Sequence, residues 1–330
     1  MLHKKGESVM SNSIKICLVI AASLVAIGFV IFATVMNVYK WDFNALSTVK
    51  METNEHLIND EFTNITIKTD TADIVFVPCE NDSVKVVCDE CEDANHTVTV
   101  QNGTLLIENA VKIKRYKNIG INLNTQKITV YMPAGKYGDL TINENTGDIK
   151  LPEDFCFENI GINVNTGDVR CFASSDADTN IKTSTGDIYL EGISAKNISL
   201  SVSTGEIRAT SVKVDEILSV KTTTGKTSLS DVTCKSFVSS GSSGDISLKN
   251  VVASEAFDIE RNTGDVKFDA CDAGEIKVKT TTGDVKGSFL SDKVVFPSTS
   301  TGRVYYPKCT SGGICEITTS TGDIVISINN

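Results

Sequence analysis

The chain has 330 residues, 22% of them charged, and a formal net charge of −11. That acidity argues against nucleic-acid binding and against docking on anionic lipid, both of which need clustered cations. Aromatic residues make up only 6%, too few to line a large aromatic cleft.

Residues 1–15 read as a short cytoplasmic tail, net basic through His3, Lys4, Lys5 and Lys15 despite Glu7. From Ile16 to Met36 no charge occurs, which predicts a transmembrane helix over 16–38. The rival is a cleaved signal, but the run is too long for a signal core and no convincing A-x-A site follows. The basic flank predicts a single-pass cell-membrane protein with its N-terminus cytoplasmic and everything after Tyr39 outside. Tyr39 and Trp41 stand where interfacial aromatics belong. Cys17 reads as a small apolar residue of this helix.

Residues 39–60 are polar and unpatterned, and read as a tether. From Glu61 strand patterns begin, with Ile65, Ile67 and then Thr71-Ala72-Asp73-Ile74-Val75. Further runs at 84–87, 98–100, 105–107 and 128–132 are separated by turn-like Asn81-Asp82 and Asn102-Gly103. Region 61–145 therefore reads as antiparallel strands covering the first rungs of a stack, because an open stack exposes apolar ladders and unpaired backbone.

Residues 146–330 repeat the phrase Thr-Gly-Asp-Ile/Val. Its glycines are Gly147, Gly167, Gly186, Gly205, Gly225, Gly244, Gly264, Gly283, Gly302 and Gly322, at spacings of 19 or 20 residues. Such a period signals a solenoid in which each repeat stacks on the last. Two residues after each glycine sit mostly Ile or Val, four after it residues such as Leu151, Leu190 and Phe268, and five before it Ile142, Ile181 or Leu200. The alternation with Ser, Thr, Lys and Asn makes both arms β-strands with one buried face, and no segment has room for a crossover helix. The expected fold is all-β: a parallel β-solenoid of about ten rungs, roughly 45 Å long at strand spacing. The glycines read as structural, supplying the bend with a positive φ or a crowded backbone. The other end carries no obvious cap, so the last strand reads either as an exposed edge able to pair with another chain or as a short strand made safe by Asn329 and Asn330.

After each glycine an acidic residue usually follows, giving Asp148, Asp168, Asp187, Asp245, Asp265, Asp284 and Asp323, with Glu206, Lys226 and Arg303 in the same column. This is the candidate ligand-facing ladder. Stacked carboxylates suit Ca²⁺, but local turn chemistry explains them as well, with Lys226 and Arg303 interrupting the charge; no cofactor is expected otherwise. Nine cysteines lie beyond Cys17. Cys88 and Cys91 form a C-x-x-C without the helix of a redox motif or a second pair for zinc. Cys309 and Cys315 flank a turn and read as a local bridge, whereas Cys156, Cys171, Cys234 and Cys271 fall at or near inward columns. Two or three disulfides at most are expected. The three histidines, His3, His56 and His96, lie outside the repeats, and no phosphate loop, dinucleotide fingerprint or H-E-x-x-H occurs. No catalytic residue is expected.

At Thr146-Gly147-Asp148-Ile149-Lys150-Leu151 and its successors, and at Ile128-Thr129-Val130-Tyr131-Met132-Pro133, the chain resembles a bacterial family provisionally named adhesins, a large group of domains of unknown function. The resemblance covers roughly residues 60–330. It implies a right-handed parallel β-helix and a cell-surface setting, often within envelope-stress operons of Gram-positive bacteria, and it brings no catalytic residue. Lys226, Arg303 and the cysteine count depart from it. The functional expectation is a membrane-anchored, non-catalytic adhesin-like module meeting a cell-wall glycan, a peptide or a surface protein. One alternative is an envelope-stress sensor that captures cationic antimicrobial peptides; another is a glycan-cleaving enzyme.

Overall fold

Successive Thr-Gly-Asp phrases sit at one corner of a coil and stack on one another. The computed structural model describes residues 12–42, 51–80, 83–91, 95–110 and 125–329. Residues 1–11, 43–50, Asn81-Asp82, 92–94, 111–124 and Asn330 lie outside these, and with them most of the expected tail, part of the tether, one expected turn and the chain's last residue.

Helix α1 runs Asn12–Val38, and its stretch Ile14–Val38 is apolar enough to cross a membrane. At about 1.5 Å per residue, 25 residues reach roughly 37 Å, more than the hydrocarbon thickness.

In the coil every rung contributes a strand before its glycine and one after. Leu140–Thr146, Ile160–Thr166, Asp178–Thr185, Asn197–Thr204 and Ile217–Thr224 pair in parallel and in register. Beyond them the two arms merge into long bent strands, Thr227–Ser243, Ile246–Thr263 and Val266–Thr282. Early rungs add a short second sheet of Gly135–Tyr137, Phe155–Phe157 and Ser174–Ser175. The three expected apolar columns form the core. Ile149, Val169, Ile188 and Ile207 are fully buried in one, and Ile142, Ile181, Leu200 and Val278 are nearly so in another. Each such side chain contributes on the order of 1.5–3 kcal/mol, and the sum down the stack holds the coil.

The glycine column has a steric cause. At Gly244, φ is +127° and an added Cβ would lie 1.8 Å from the Gly225 carbonyl oxygen of the rung beneath. Rungs pack so closely at this corner that no side chain fits. A second bend follows six residues later, where Gly192, Ser211, Asp231, Asn250 and Ala270 all have φ between +51° and +68°. The repeat pattern predicts no turn there.

The cap is antiparallel only in part: 51–58 with 84–91, 84–91 with 127–133 and 96–101 with 104–109 run antiparallel, whereas 64–71 with 104–109 and 73–79 with 127–133 pair in parallel as further rungs. We number its strands β1 (Met51–Ile58), β2 (Asn64–Thr71), β3 (Asp73–Cys79), β4 (Val84–Cys91), β5 (His96–Gln101), β6 (Thr104–Asn109) and β7 (Lys127–Pro133). Asn102-Gly103 makes the β5–β6 hairpin turn, both residues at positive φ. Ala72 takes the glycine place and stacks on Gly147. The tether expected to residue 60 is shorter, because 51–58 form β1 and pair with β4.

The stacking order departs from the sequence order at both ends. The strand Gly313–Thr321 inserts between residues 275–282 and Lys293–Thr301, and Ile324–Ile328 inserts between Val285–Phe289 and Val304–Tyr305. The penultimate repeat is therefore outermost, and the open edge is 293–305 rather than the chain's last strand. Pro297 sits on that edge, where a missing ladder donor is tolerated. The N-terminal end mirrors this: β2 and β3 lie between β6 and β7 on one side and residues 140–151 on the other. At each end the first or last stretch of the coil is clasped on both sides.

No disulfide forms among the described cysteines. Cys315 is buried in the core while Cys309 lies at the surface near Asp292, so the expected local bridge is absent. Cys171, Cys234 and Cys271 are buried as expected; Cys156 instead faces outward, beside Asp176.

Candidate functional site

The acidic column forms a ladder in two runs at the glycine corner. Asp148 Oδ1 accepts the Asp168 N–H at 2.8 Å, Asp168 Oδ1 that of Asp187 at 2.9 Å, and Asp187 Oδ1 that of Glu206 at 2.7 Å. The pattern resumes from Asp245 to Asp265, Asp284 and Asp323. The expected local turn bond is thus a bond between rungs. The second oxygen is also engaged: Arg170 Nη2 meets Asp168 Oδ2 at 2.9 Å, Tyr189 donates to Asp187 at 2.7 Å, and Arg208 meets Glu206 at 2.9 Å. Lys286 beside Asp284 holds that carboxyl below its usual range, and the Asp187 bond raises the Tyr189 hydroxyl. Arg303 does not interrupt the ladder but ends it, since its N–H and guanidinium both bond Asp323. Lys226 is the true break. Carboxylates committed to N–H groups and cations are poorly placed to cage Ca²⁺, which needs about six or more free oxygens.

Beneath the corner, three residues before each glycine, runs an inward column that is polar in most rungs and apolar at Val164 and Val202. Thr183, Thr280 and Thr319 direct hydroxyls to glycine carbonyls. Glu144 and Arg261 occupy the same column, 4% and 1% exposed. Period-two parity puts these positions inside; their polarity hid them in the sequence.

The accessible site lies on the outer face of the arm before the glycines. Registers align Glu108, Lys68, Asn143, Asn163, Lys182 and Ser201 into one row across six strands. Neighbouring members stand about 4.8 Å apart. Lys68 and Glu108 pair at 3.1 Å, and Asn165 and Asn145 continue a parallel amide ladder to Asp70. Gly161 places no side chain between Thr141 and Asn180, which floors a shallow groove of about 510 Å³. A second groove of about 530 Å³ abuts it, sharing Asn143 and Asn163.

This face offers amide, hydroxyl and ammonium groups at a fixed repeat. It carries neither histidine nor a cysteine paired with a base. The sequence-predicted aspartates line the adjacent corner and do not enter the row. Outward Asn and Ser in a strand look like ordinary solvated residues, and only the register shows them as a set.

A family model described as Toastrack DUF4097 matches residues 62–327. Among solved structures, a provisionally named lipid-binding protein from Parabacteroides distasonis is 20% identical, with a TM-score of 0.48, over 73% of this chain and 98% of its own. A provisionally named adhesin from Bacteroides fragilis is 15% identical, with a TM-score of 0.39, over 84% and 97%. A provisionally named cell adhesion protein from Clostridium sporogenes is 10% identical, with a TM-score of 0.21, over 84% and 100%. None of the curated proteins matches the chain in sequence.

Proposed function

The chain belongs to the Toastrack DUF4097 family, and from that premise we propose that it is a membrane-anchored, non-catalytic surface module that binds cell-wall glycan. In this reading α1 stays uncleaved as a single-pass anchor, with the N-terminus cytoplasmic and the solenoid outside the cell. The row from Glu108 to Ser201 carries the reading. A polysaccharide presents hydroxyl and amide groups at regular intervals, and a row with one polar side chain per rung meets it with repeated, individually weak hydrogen bonds. Avidity then comes from repetition rather than from a deep pocket.

The test is retention of the full chain, in detergent micelles, on insoluble wall polysaccharide. Asn143→Ala, Asn163→Ala and Lys182→Ala combined reduce retention at least tenfold; unchanged retention with a folded variant refutes the reading. The rival partner, a cationic peptide drawn by the net charge of −11, is separated in the same assay. It binds whichever row variant is used and weakens steeply with salt.

A further inference from the structure

Two antiparallel extensions of the cap meet without pairing. β4 extends one arm of the outermost rung through β7, and β5 extends the other through β6. Where they meet, Cys88 and Glu90 of β4 and His96 of β5 are buried together, at 0%, 1% and 5% exposure. One donor atom from each, a thiol sulfur, a carboxylate oxygen and an imidazole nitrogen, lie within 4.8 Å of one another. Among the described residues this is the one group of three such donors.

Glu90 is held firmly. Asn54 Nδ2 donates to its Oε1 at 2.7 Å, the His96 backbone N–H donates to Oε2 at 2.7 Å, and His96 Nδ1 lies 2.7 Å from the same oxygen. His96 Nε2 is buried with no partner. A buried polar atom left unsatisfied is destabilising, and an ion-free cluster offers nothing to offset it.

The geometry points to a Zn²⁺ site formed by Cys88, His96 and Glu90, which fastens the β5–β6 hairpin to β4 and closes the lid of the coil. Thiolate, imidazole and carboxylate together suit a borderline ion, whereas Ca²⁺ and Mg²⁺ call for oxygen alone. Bonds of about 2.0–2.3 Å set tetrahedral ligand atoms roughly 3.3–3.8 Å apart, so a shift of about an ångström assembles the set. Asn54 supplies the outer hydrogen bond that fixes a ligating carboxylate. Binding expels the Cys88 thiol proton to solvent, His96 and Glu90 contribute lone pairs, and water takes the fourth position. The C-x-x-C spacing is incidental here, because the partners of Cys88 are Glu90, two residues along β4, and His96 of β5 rather than Cys91.

The full chain in detergent, stripped with chelator, is titrated with Co²⁺ and then Zn²⁺. The expected result is one Co²⁺ per chain with a thiolate-to-cobalt absorption band that Zn²⁺ displaces. The band is lost in Cys88→Ser and kept in Cys156→Ser, and His96→Asn weakens binding at least tenfold. Should the ligand variants fail to fold, X-ray absorption on the zinc-loaded wild type decides, through a shell with one sulfur and nitrogen or oxygen neighbours. No stoichiometric binding to the folded wild type, a band that survives Cys88→Ser, or a zinc shell without sulfur overturns the site.

Discussion

Arg261 lies inside the coil in the space that Gly241 leaves: a Cβ on Gly241 would sit 1.5 Å from Arg261 Nη1. The guanidinium bonds the Thr222 carbonyl at 3.2 Å, Ser239 Oγ at 3.1 Å and Thr227 Oγ1 at 3.3 Å, and its Nε is unsatisfied. Among the described residues no carboxylate is bonded to it, and burial pulls its pKa down to about 10 from 12.5. A buried charge so placed is a liability that an apolar side chain of similar volume removes. Arg261→Met should therefore raise stability by about 1–3 kcal/mol, whereas Arg261→Ala lowers it by leaving a cavity. Because the folded pKa lies below the unfolded one, the wild type regains stability as pH rises beyond about 10, and its deficit against Arg261→Met narrows. Gly241→Ala should be damaging in both backgrounds, since the Thr222 carbonyl oxygen would still stand 2.1 Å from the new Cβ. Urea denaturation of these variants beside the wild type, at neutral pH and above about pH 10, checks all four statements.

Glu144 gives a second pH dependence, of opposite range. Burial pushes its carboxyl up to about 8 from 4.5, partly opposed by the Thr146 N–H at 3.2 Å, and its Oε2 has no partner. Between those two values the folded chain keeps a proton that the unfolded chain releases. Its stability contribution is whole below 4.5 and is lost as pH rises through 8. The loss amounts to at most roughly 4–5 kcal/mol. Glu144→Gln should match the wild type at about pH 4 and exceed its Tm by several degrees at about pH 9. Equal Tm values at the higher pH would show that the carboxylate is solvated when folded.

The second bend column carries the third prediction. Ala270 holds φ at +52° where Gly192 occupies the equivalent place of an earlier rung. An L-residue with a Cβ pays about 1–2 kcal/mol there, partly offset by the chain entropy that glycine would cost. Ala270→Gly should stabilise by about 0.5–1 kcal/mol, and Asn250→Gly by less, since Asn tolerates this region. Denaturation midpoints measure both.

Gly192, Ser211, Asp231, Asn250 and Ala270 share a backbone angle but no residue type, which is why the sequence revealed one bend per rung and not two. The glycine bend was legible because steric exclusion there holds glycine in all ten repeats, Ala72 of the cap being the exception. The apolar columns were legible because every rung repeats the same burial. What repetition reveals about the rung it conceals about the order of rungs: near-identical strands can pair in any sequence, so nothing in Thr301-Gly302 or Thr321-Gly322 tells which lies outside. The binding row was hidden for a related reason, since Asn143 and Asn163 differ from solvated residues only once register aligns them. His96 pairs through β5 with β6 rather than with β4, so its approach to Cys88 and Glu90 left no trace in spacing.

The exchanged order at the C-terminal end makes the sharpest test of the fold. Ile324 and Val304 both stand two residues after a repeat glycine. Ile324, in the last repeat, is 0% exposed between two neighbours, while Val304, in the repeat before it, is 41% exposed on the edge. Were each repeat stacked on the one before, Val304 would be enclosed and Ile324 terminal. Ile324→Ala should cost about 2–5 kcal/mol and Val304→Ala well under about 1 kcal/mol. Chemical denaturation of the two variants discriminates the arrangements: a costlier Val304→Ala would mean that rungs follow sequence order, leaving the final strand unclasped and free to fray.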